Sequence, residues 1–232
     1  MKMIDFHTHI LPAIDDGAKT VEESCLMLDS LRDQGVGMVV CTPHYYSQRE
    51  PIERFLKRRD RAIEKLSSVY STDDIKLFYG AEVHYSDYLF NNEDISSLCI
   101  ADSDVMLLEL PYNKKIDRNM LDRVWQLMCD YGVTPVIAHV ERYASLWRSE
   151  KLMNDLTAMG CVLQVNLSSA TCVGKRRIYS MISKGYIGAF GTDAHNTESR
   201  PPDYRSGFDA ISRRVDEEII LKIQENMTSL LR

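Results

Sequence analysis

Two histidines separated by a single residue open the chain, in Asp5-Phe6-His7-Thr8-His9, and Asp15-Asp16-Gly17 follows shortly after. Side chains alternate along an extended strand, so His7 and His9 point the same way, about 6 to 7 Å apart, while Phe6 and Thr8 face the other way. Neutral imidazole is a common ligand for divalent transition metals, and such a pair leaves coordination positions for a carboxylate and water. An H-x-H by itself is also what a solvated or core-satisfied pair looks like, so its weight depends on the rest of the chain.

Further ligand-type residues stand at the ends of apolar runs. The run 37–42 closes on Pro43-His44, 75–81 on Glu82, 105–108 on Glu109, 134–138 on His139, and 187–192 on Asp193-Ala194-His195. With Asp16 from the first loop, the set is His7, His9, Asp16, His44, Glu82, Glu109, His139, Asp193 and His195. It takes five of the six histidines and leaves out only His84, which reads as a rim or structural residue. Incidental histidines would fall on helices and loops as often as at strand ends. Burying so many ionisable groups without a metal would be very costly.

Nine such ligands suffice for two or three ions sharing bridging groups, and the absence of cysteine points to Zn, Mn or Fe. A hydroxide shared by such ions can attack phosphorus while the ions neutralise the oxygens of an in-line displacement, so the expected chemistry is phosphoester hydrolysis. No C-x5-R phosphate loop, G-x-S-x-G elbow or Walker loop occurs, which leaves covalent Cys or Ser catalysis without a seat.

The elements that must position this set alternate. Thr20 caps a helix, with Glu23 three residues on and Gly35 beyond its end. Further helices are expected over 51–70, 116–131 (stopped by Gly132), 150–159 (Gly160), 175–184 (Gly185) and, closing the chain, 207–231. Residues 85–102 hold a short helix or two. Seven strands, among them 162–166, alternate with these helices, which means a parallel sheet covered on both faces. An open doubly wound sheet lacks its Gly-rich phosphate loop here, because Asp15-Asp16-Gly17 stands in that place. In a barrel the C-terminal strand ends converge on one mouth, so a seven-stranded (β/α) barrel in one domain, residues 1–232, is the expected fold.

A net charge of −6 and a pI near 5.5 argue against nucleic acid or anionic membrane as bulk partners. The N-terminus carries no basic-then-apolar leader and no stretch approaches about 18 apolar residues, so a soluble, cytoplasmic protein is expected. Six cysteines without a C-x-x-C pair read as reduced, small hydrophobic fillers.

The stretches 4–12 (I-D-F-H-T-H-I-L-P), Asp15-Asp16-Gly17, Ala81-Glu82, 136–143 (V-I-A-H-V-E-R-Y) and Asp193-Ala194-His195 resemble the polymerase-and-histidinol-phosphatase (PHP) superfamily. More closely, they resemble its bacterial manganese-dependent protein tyrosine phosphatases of capsule and exopolysaccharide synthesis. The resemblance implies a distorted, TIM-like (β/α)7 barrel and a phosphotyrosine-protein phosphatase acting on the tyrosine-rich tail of a capsular or exopolysaccharide tyrosine kinase. It implies two or three divalent ions, manganese first, with iron or zinc as alternatives. One ion takes His7, His9, Glu82 and Asp193; a second shares Glu82 and adds Glu109 and His139; a third takes Asp16, His44 and His195. Arg142 and Arg200 match the family's phosphate-binding arginines.

The same metals would serve a small-molecule phosphomonoesterase such as a histidinol phosphatase, and a catalytically weak, metal-stabilised regulatory partner is the remaining alternative. The sequence departs from some members in carrying Tyr45-Tyr46 where they have a basic segment. Tyr45, Tyr46, Tyr112, Tyr143 and Trp147, just past strand ends, could form a slot for an aromatic ring. The run Arg54, Lys57, Arg58, Arg59, Arg61 and Lys65 reads either as a solvated helix face or as a dock for an acidic kinase tail.

Overall fold

The apolar runs all become parallel strands: β1 (Met3–Thr8), β2 (Val36–Cys41), β3 (His44–Tyr45), β4 (Lys76–Tyr79), β5 (Glu82–His84), β6 (Val105–Glu109), β7 (Thr134–Ile137), β8 (Val162–Asn166) and β9 (Ile187–Gly191). These come from a computed structural model that describes residues 3–71, 73–91, 94–112 and 114–232. The strands pair in the order β1-β2-β4 in one sheet and β3-β5-β6-β7-β8-β9 in the other.

Two of the expected strands are each divided in two. The second breaks at Thr42-Pro43, where proline has no N–H to give the ladder, and the third breaks at Gly80-Ala81. Single backbone bonds carry the pairing across the breaks, Gly80 N–H to Cys41 O and Glu82 N–H to Pro43 O, both 3.0 Å. The C-terminal ends of β1 and β9 are joined in the same way, by Asp193 N–H to His7 O and His9 N–H to Ala194 O, both 2.8 Å. The chemically important residues therefore sit where the ladders end and the backbone is free to turn.

Helices α1 (Val21–Asp33), α2 (Ile52–Ser67), α3 (Arg118–Tyr131), α4 (Ala144–Arg148), α5 (Glu150–Ala158), α6 (Lys175–Ser183), α7 (Tyr204–Ser212) and α8 (Glu217–Ser229) connect and cover the strands. The Thr20 hydroxyl accepts the Glu23 N–H at 3.2 Å, satisfying a donor that the first turn of α1 leaves open, and the Glu23 carboxylate reaches back to accept the Lys19 N–H at 2.8 Å. Gly132 ends α3 at φ +65°, where a side chain would be strained, and donates its N–H to Met128 O. The single closing helix expected over 207–231 is instead two, α7 and α8. Asp216-Glu217-Glu218 restarts the helix, because carboxylates favour a helix N-terminus. Residues 85–102 contain 3-10 turns at Asp87–Asn91 and Ile95–Leu98, and α4 was not foreseen.

The basic run on α2 is largely spent within its own neighbourhood. Arg54 faces Glu50 at 3.8 Å, Lys57 pairs with Glu53 at 2.6 Å, Arg58 binds Glu50 and the Ile14 carbonyl, and Arg59 faces Asp60 at 3.5 Å. Cys41, Cys99 and Cys161 are buried fillers, but Cys129 and Cys172 are exposed; all six are free thiols. Among the described residues no helix is long and apolar enough to cross a membrane.

Gly191 is where β9 meets β1. A Cβ there would stand 2.6 Å from His7 Cβ, closer than real contacts come, and a tight 3.1 Å from His7 N. Gly191→Ala is expected to cost about 1–3 kcal/mol, as overpacking of a close-packed interior does. Urea denaturation at unchanged m checks it: an unmoved midpoint would mean that β1 and β9 separate freely.

Candidate metal centre

β1 delivers His7 and His9 side by side, and their Nε2 atoms lie 3.1 Å apart. Their other ring nitrogens are already committed. His9 Nδ1–H donates to Asp15 Oδ2 at 2.7 Å, and His7 Nδ1–H reaches Gln164 Oε1 at 3.4 Å. With those tautomers both Nε2 atoms are acceptors facing one another, which is repulsive unless a cation or a proton lies between them. Glu82 Oε2 stands 3.3 Å from each Nε2, and Asp193 Oδ1 stands 3.5 Å from His7 Nε2 and 3.4 Å from His9 Nε2.

Two further groups adjoin this knot of four. His139 Nε2 lies 2.8 Å from Glu82 Oε1 and 3.7 Å from Glu109 Oε1. Asp16 Oδ1 lies 3.5 Å from both His44 Nε2 and His195 Nε2, while His44 Nδ1 turns to Glu82 Oε2 at 2.9 Å. All nine residues expected from the sequence are thus brought together, and Glu82 touches every subgroup except the outermost pair, Asp16 and His195. Seven of the nine are buried; His44 is partly exposed and Asp16 largely so, at the mouth.

Three buried atoms of this cluster, His44 Nδ1, Glu82 Oε2 and His195 Nε2, have no hydrogen-bond partner, even though the first two are close. Buried polar atoms left so are rare and mark a missing partner. Charge tells the same story. Burial pushes the Glu82 carboxyl up, but the imidazoles of His7, His139 and His44 hold it well below the ordinary range. Burial lowers His9, yet Asp15 with Asp193 and Glu82 raises it well above the usual imidazole value. Burial likewise raises Asp193, and His7 and His9 outweigh it and hold it well below. The cluster thus demands positive charge among its carboxylates. Imidazolium protons supply it here, and divalent cations displace such protons when they bind. Donor set, orphaned atoms and charge all fit metal ions.

The backbone contributes as well. His139 at φ +33° and Asp193 at φ +56° are non-glycine residues in the left-handed region, each directly after the run that carries it. Strain of roughly 1–3 kcal/mol at such positions clusters at functional sites. Asp5 helps to hold the second turn. Wholly buried, it accepts the Thr192 hydroxyl at 2.6 Å, the Thr192 N–H at 2.9 Å and the His7 N–H at 3.3 Å, and burial pushes its carboxyl up to about 6.

Several supporting residues escaped the sequence reading. Gln164 Oε1 accepts the His139 N–H at 2.7 Å, its Nε2 donates to Asn166 Oδ1 at 2.9 Å, and Asn166 Nδ2 donates to Asp193 Oδ2 at 3.0 Å. The available signal was two amides at i and i+2, on one face of an otherwise apolar β8 strand. His84 Nδ1 lies 2.9 Å from Glu109 Oε2, so this rim histidine orients a member of the set. Asp15, noted only as a neighbour of Asp16, binds His9 and also accepts the His44 N–H at 2.9 Å.

Arg142, after β7, and Arg200, after β9, each place one nitrogen 2.6 Å from Asp193 Oδ2. The aromatic residues divide. Tyr45 is fully buried against Phe55 and is not part of any slot. Tyr143 is buried and its hydroxyl accepts the Leu110 N–H, and Trp147 packs against the core. Tyr112, half-exposed, stacks on both His139 and Tyr143, and Tyr46 lies against His44 and His84 under the Arg49 guanidinium. Two tyrosines, Tyr46 and Tyr112, therefore flank the opening.

Comparison with known proteins adds an independent line. The family described as "Capsular polysaccharide synthesis, CpsB/CapC" matches residues 3–232. The chain is 33% identical over 230 residues to the tyrosine-protein phosphatase CpsB of Streptococcus pneumoniae, covering 91% of this chain and 90% of that protein. It is 28% identical over 239 residues to the tyrosine-protein phosphatase YwqE of Bacillus subtilis, covering 99% and 92%. A solved structure from work on B. subtilis YwqE and S. pneumoniae CpsB, described as unique metal-dependent tyrosine phosphatases, superposes with a TM-score of 0.85 at 24% identity, over 99% of this chain and 94% of that one.

Proposed function

The chain belongs to the CpsB/CapC family of capsular polysaccharide synthesis, and from that premise we propose that it is a metal-dependent protein-tyrosine phosphatase. One observation carries the reading: nine ligand-type side chains converge, with the Nε2 atoms of His7 and His9 3.1 Å apart and Glu82 and Asp193 oxygens within 3.5 Å of both. We read the two sheets as parts of one distorted (β/α)7 barrel and one domain, with the backbone bonds between the ends of β1 and β9 in support.

His7, His9, Glu82 and Asp193 would hold one divalent ion, Glu82, Glu109 and His139 a second, and Asp16, His44 and His195 a third. Manganese fits this oxygen- and imidazole-rich set, as iron or zinc also would. Bound ions supply Lewis acidity toward phosphoryl oxygens and bring a water nucleophile within reach of neutral pH.

The chain's own groups do the remainder. Arg142 and Arg200 share Asp193 Oδ2, which leaves guanidinium donors of each for the phosphate, and a planar fork suits two of its oxygens at once. Asp15 and Gln164 fix the tautomers and ring orientations of His9 and His7, and Asn166 holds Gln164 and Asp193 in place. Tyr46 and Tyr112 give the opening aromatic walls for a phosphotyrosine ring. The substrate we assign is the phosphotyrosine-bearing tail of a capsular tyrosine kinase, met in the cytoplasm; the six free thiols accord with a reducing compartment.

The test is phosphate release from a phosphotyrosine peptide beside a phosphoserine peptide and histidinol phosphate, with Mn²⁺ and with EDTA. EDTA-sensitive release from phosphotyrosine alone is the expected result. Release from the small substrate alone would overturn the protein-phosphatase reading, and no release at all would leave a metal-stabilised binding partner. A second prediction isolates Asp15. Asp15→Asn keeps the shape but removes the charge that holds His9, and metal retention against a graded chelator is expected to fall about 10- to 100-fold. Unaltered metal content across the titration would remove Asp15 from this role.

A further inference from the structure

Beside the metal mouth, and sharing Tyr112 with it, lies a cleft of about 790 Å³ between the segment before α3 and helices α4 and α5. Its aromatic floor is Tyr112 and Tyr143, the pair stacked at 5.4 Å next to the His139 ring. Five cations line it against two carboxylates, Asp117 and Asp155, in a chain whose net charge is −6. Of the cations, only Arg118 is paired, with Asp122 at 2.9 Å. Lys114, Lys115, Arg148 and Lys151 are exposed and make no ion pair among the described residues. One of the two carboxylates, Asp117, is occupied in capping α3 through the Met120 N–H.

Unpaired cations from three separate elements repel one another unless an anion joins them. The basic run of α2 differs in kind: four of its six cations already have acidic partners. Apart from Arg49, which lies over Tyr46, the unpaired positive surface beside the mouth is therefore the cleft and not the paired part of α2.

We infer that this cleft is a specificity subsite for an acidic peptide segment flanking the phosphotyrosine, its carboxylates paired with Lys114, Lys115, Arg148 and Lys151. The inference rests on the phosphatase reading and deepens it by naming what lies beside the target residue. A substrate whose ring enters between Tyr46 and Tyr112 must leave along one side of Tyr112, and on the Tyr143 side the chain runs directly over these cations. The subsite selects sequence context without touching the reacting atoms.

The test uses the full, metal-loaded chain and two fluorescent peptides bearing a non-hydrolysable phosphotyrosine analogue, one flanked by Glu and the other by Gln, with affinity read by anisotropy. The acidic peptide is expected to bind about tenfold tighter, the sum of a few exposed ion pairs, and the ratio is expected to shrink at high salt. The double variants K114E/K115E and R148E/K151E are expected to bring the ratio close to one while hydrolysis of a small aryl phosphate stays at the wild-type rate, which also shows that they fold. R61E/K65E on α2 is expected to leave the ratio intact. Equal affinities in the wild type, or a preference that survives both cleft variants, would overturn the subsite. If no aryl phosphate is hydrolysed but charge-selective binding persists, the phosphatase reading fails and the subsite stands.

Discussion

Glu82→Gln is expected to lower kcat/KM on a phosphotyrosine peptide by at least about 10³-fold and to remove at least one metal ion per chain, with the fold retained. The substitution keeps the volume and deletes only the charge, so packing is not the variable. Glu82 is the member on which the centre converges: its two oxygens lie within 3.3 Å of ring nitrogens of His7, His9, His44 and His139. Losing an outer partner of a metal ligand costs 10- to 100-fold, and losing a ligand that several ions share should exceed it. Steady-state kinetics with elemental analysis of the dialysed protein checks both halves. A variant within tenfold of wild type and fully metallated would sink the assignment of the centre.

The second large effect belongs to the two arginines. Arg142→Ala combined with Arg200→Ala is expected to reduce kcat by about 10²- to 10³-fold, the scale on which removal of a preorganised donor to developing negative charge acts. Metal content should hold, because neither guanidinium is a ligand, and product inhibition by inorganic phosphate should weaken. Lysine in both positions should recover only part of the rate: it restores charge without the bidentate fork. Unchanged phosphate inhibition in the alanine pair would mean that these residues serve Asp193 alone, through the two 2.6 Å contacts, and not the substrate.

Glu82 and its fellow ligands were visible in the sequence for a geometric reason, whereas Arg142 and Arg200 were named only through the family resemblance. Parallel strands in an α/β fold point their C-terminal ends the same way, so ionisable residues closing apolar runs are carried to one place by the topology itself. Local spacing sufficed to nominate His7, His9, His44, Glu82, Glu109, His139, Asp193 and His195, and helix caps such as Thr20 with Glu23 were equally legible, since capping is a contact between near neighbours.

Other features needed the assembled chain. Asp15 and His84 lie only six and 25 residues from the groups they hold, His9 and Glu109, but nothing in their spacing told them from ordinary rim polar residues. Gln164 and Asn166 on β8 reach His7, His139 and Asp193 from other strands, and the fixed tautomers of His7 and His9 follow from such contacts and not from their type. Tyr45 and Tyr46 are adjacent and chemically identical, yet one is sealed in the core and the other lines the mouth, because the short strand β3 turns alternate residues to opposite faces. The basic run of α2 and the cations around 114 and 148 look alike in sequence. The α2 run carries its partners locally, Glu50 and Glu53 at i,i+4 spacing and Asp60 adjacent, whereas the convergence of Lys114, Lys115, Arg148 and Lys151 from separate elements on one cleft appears only in the assembled chain. Residue type and order determined which chemistry this protein can perform; which groups orient, neutralise and flank that chemistry was decided by long-range contacts that no local pattern encodes.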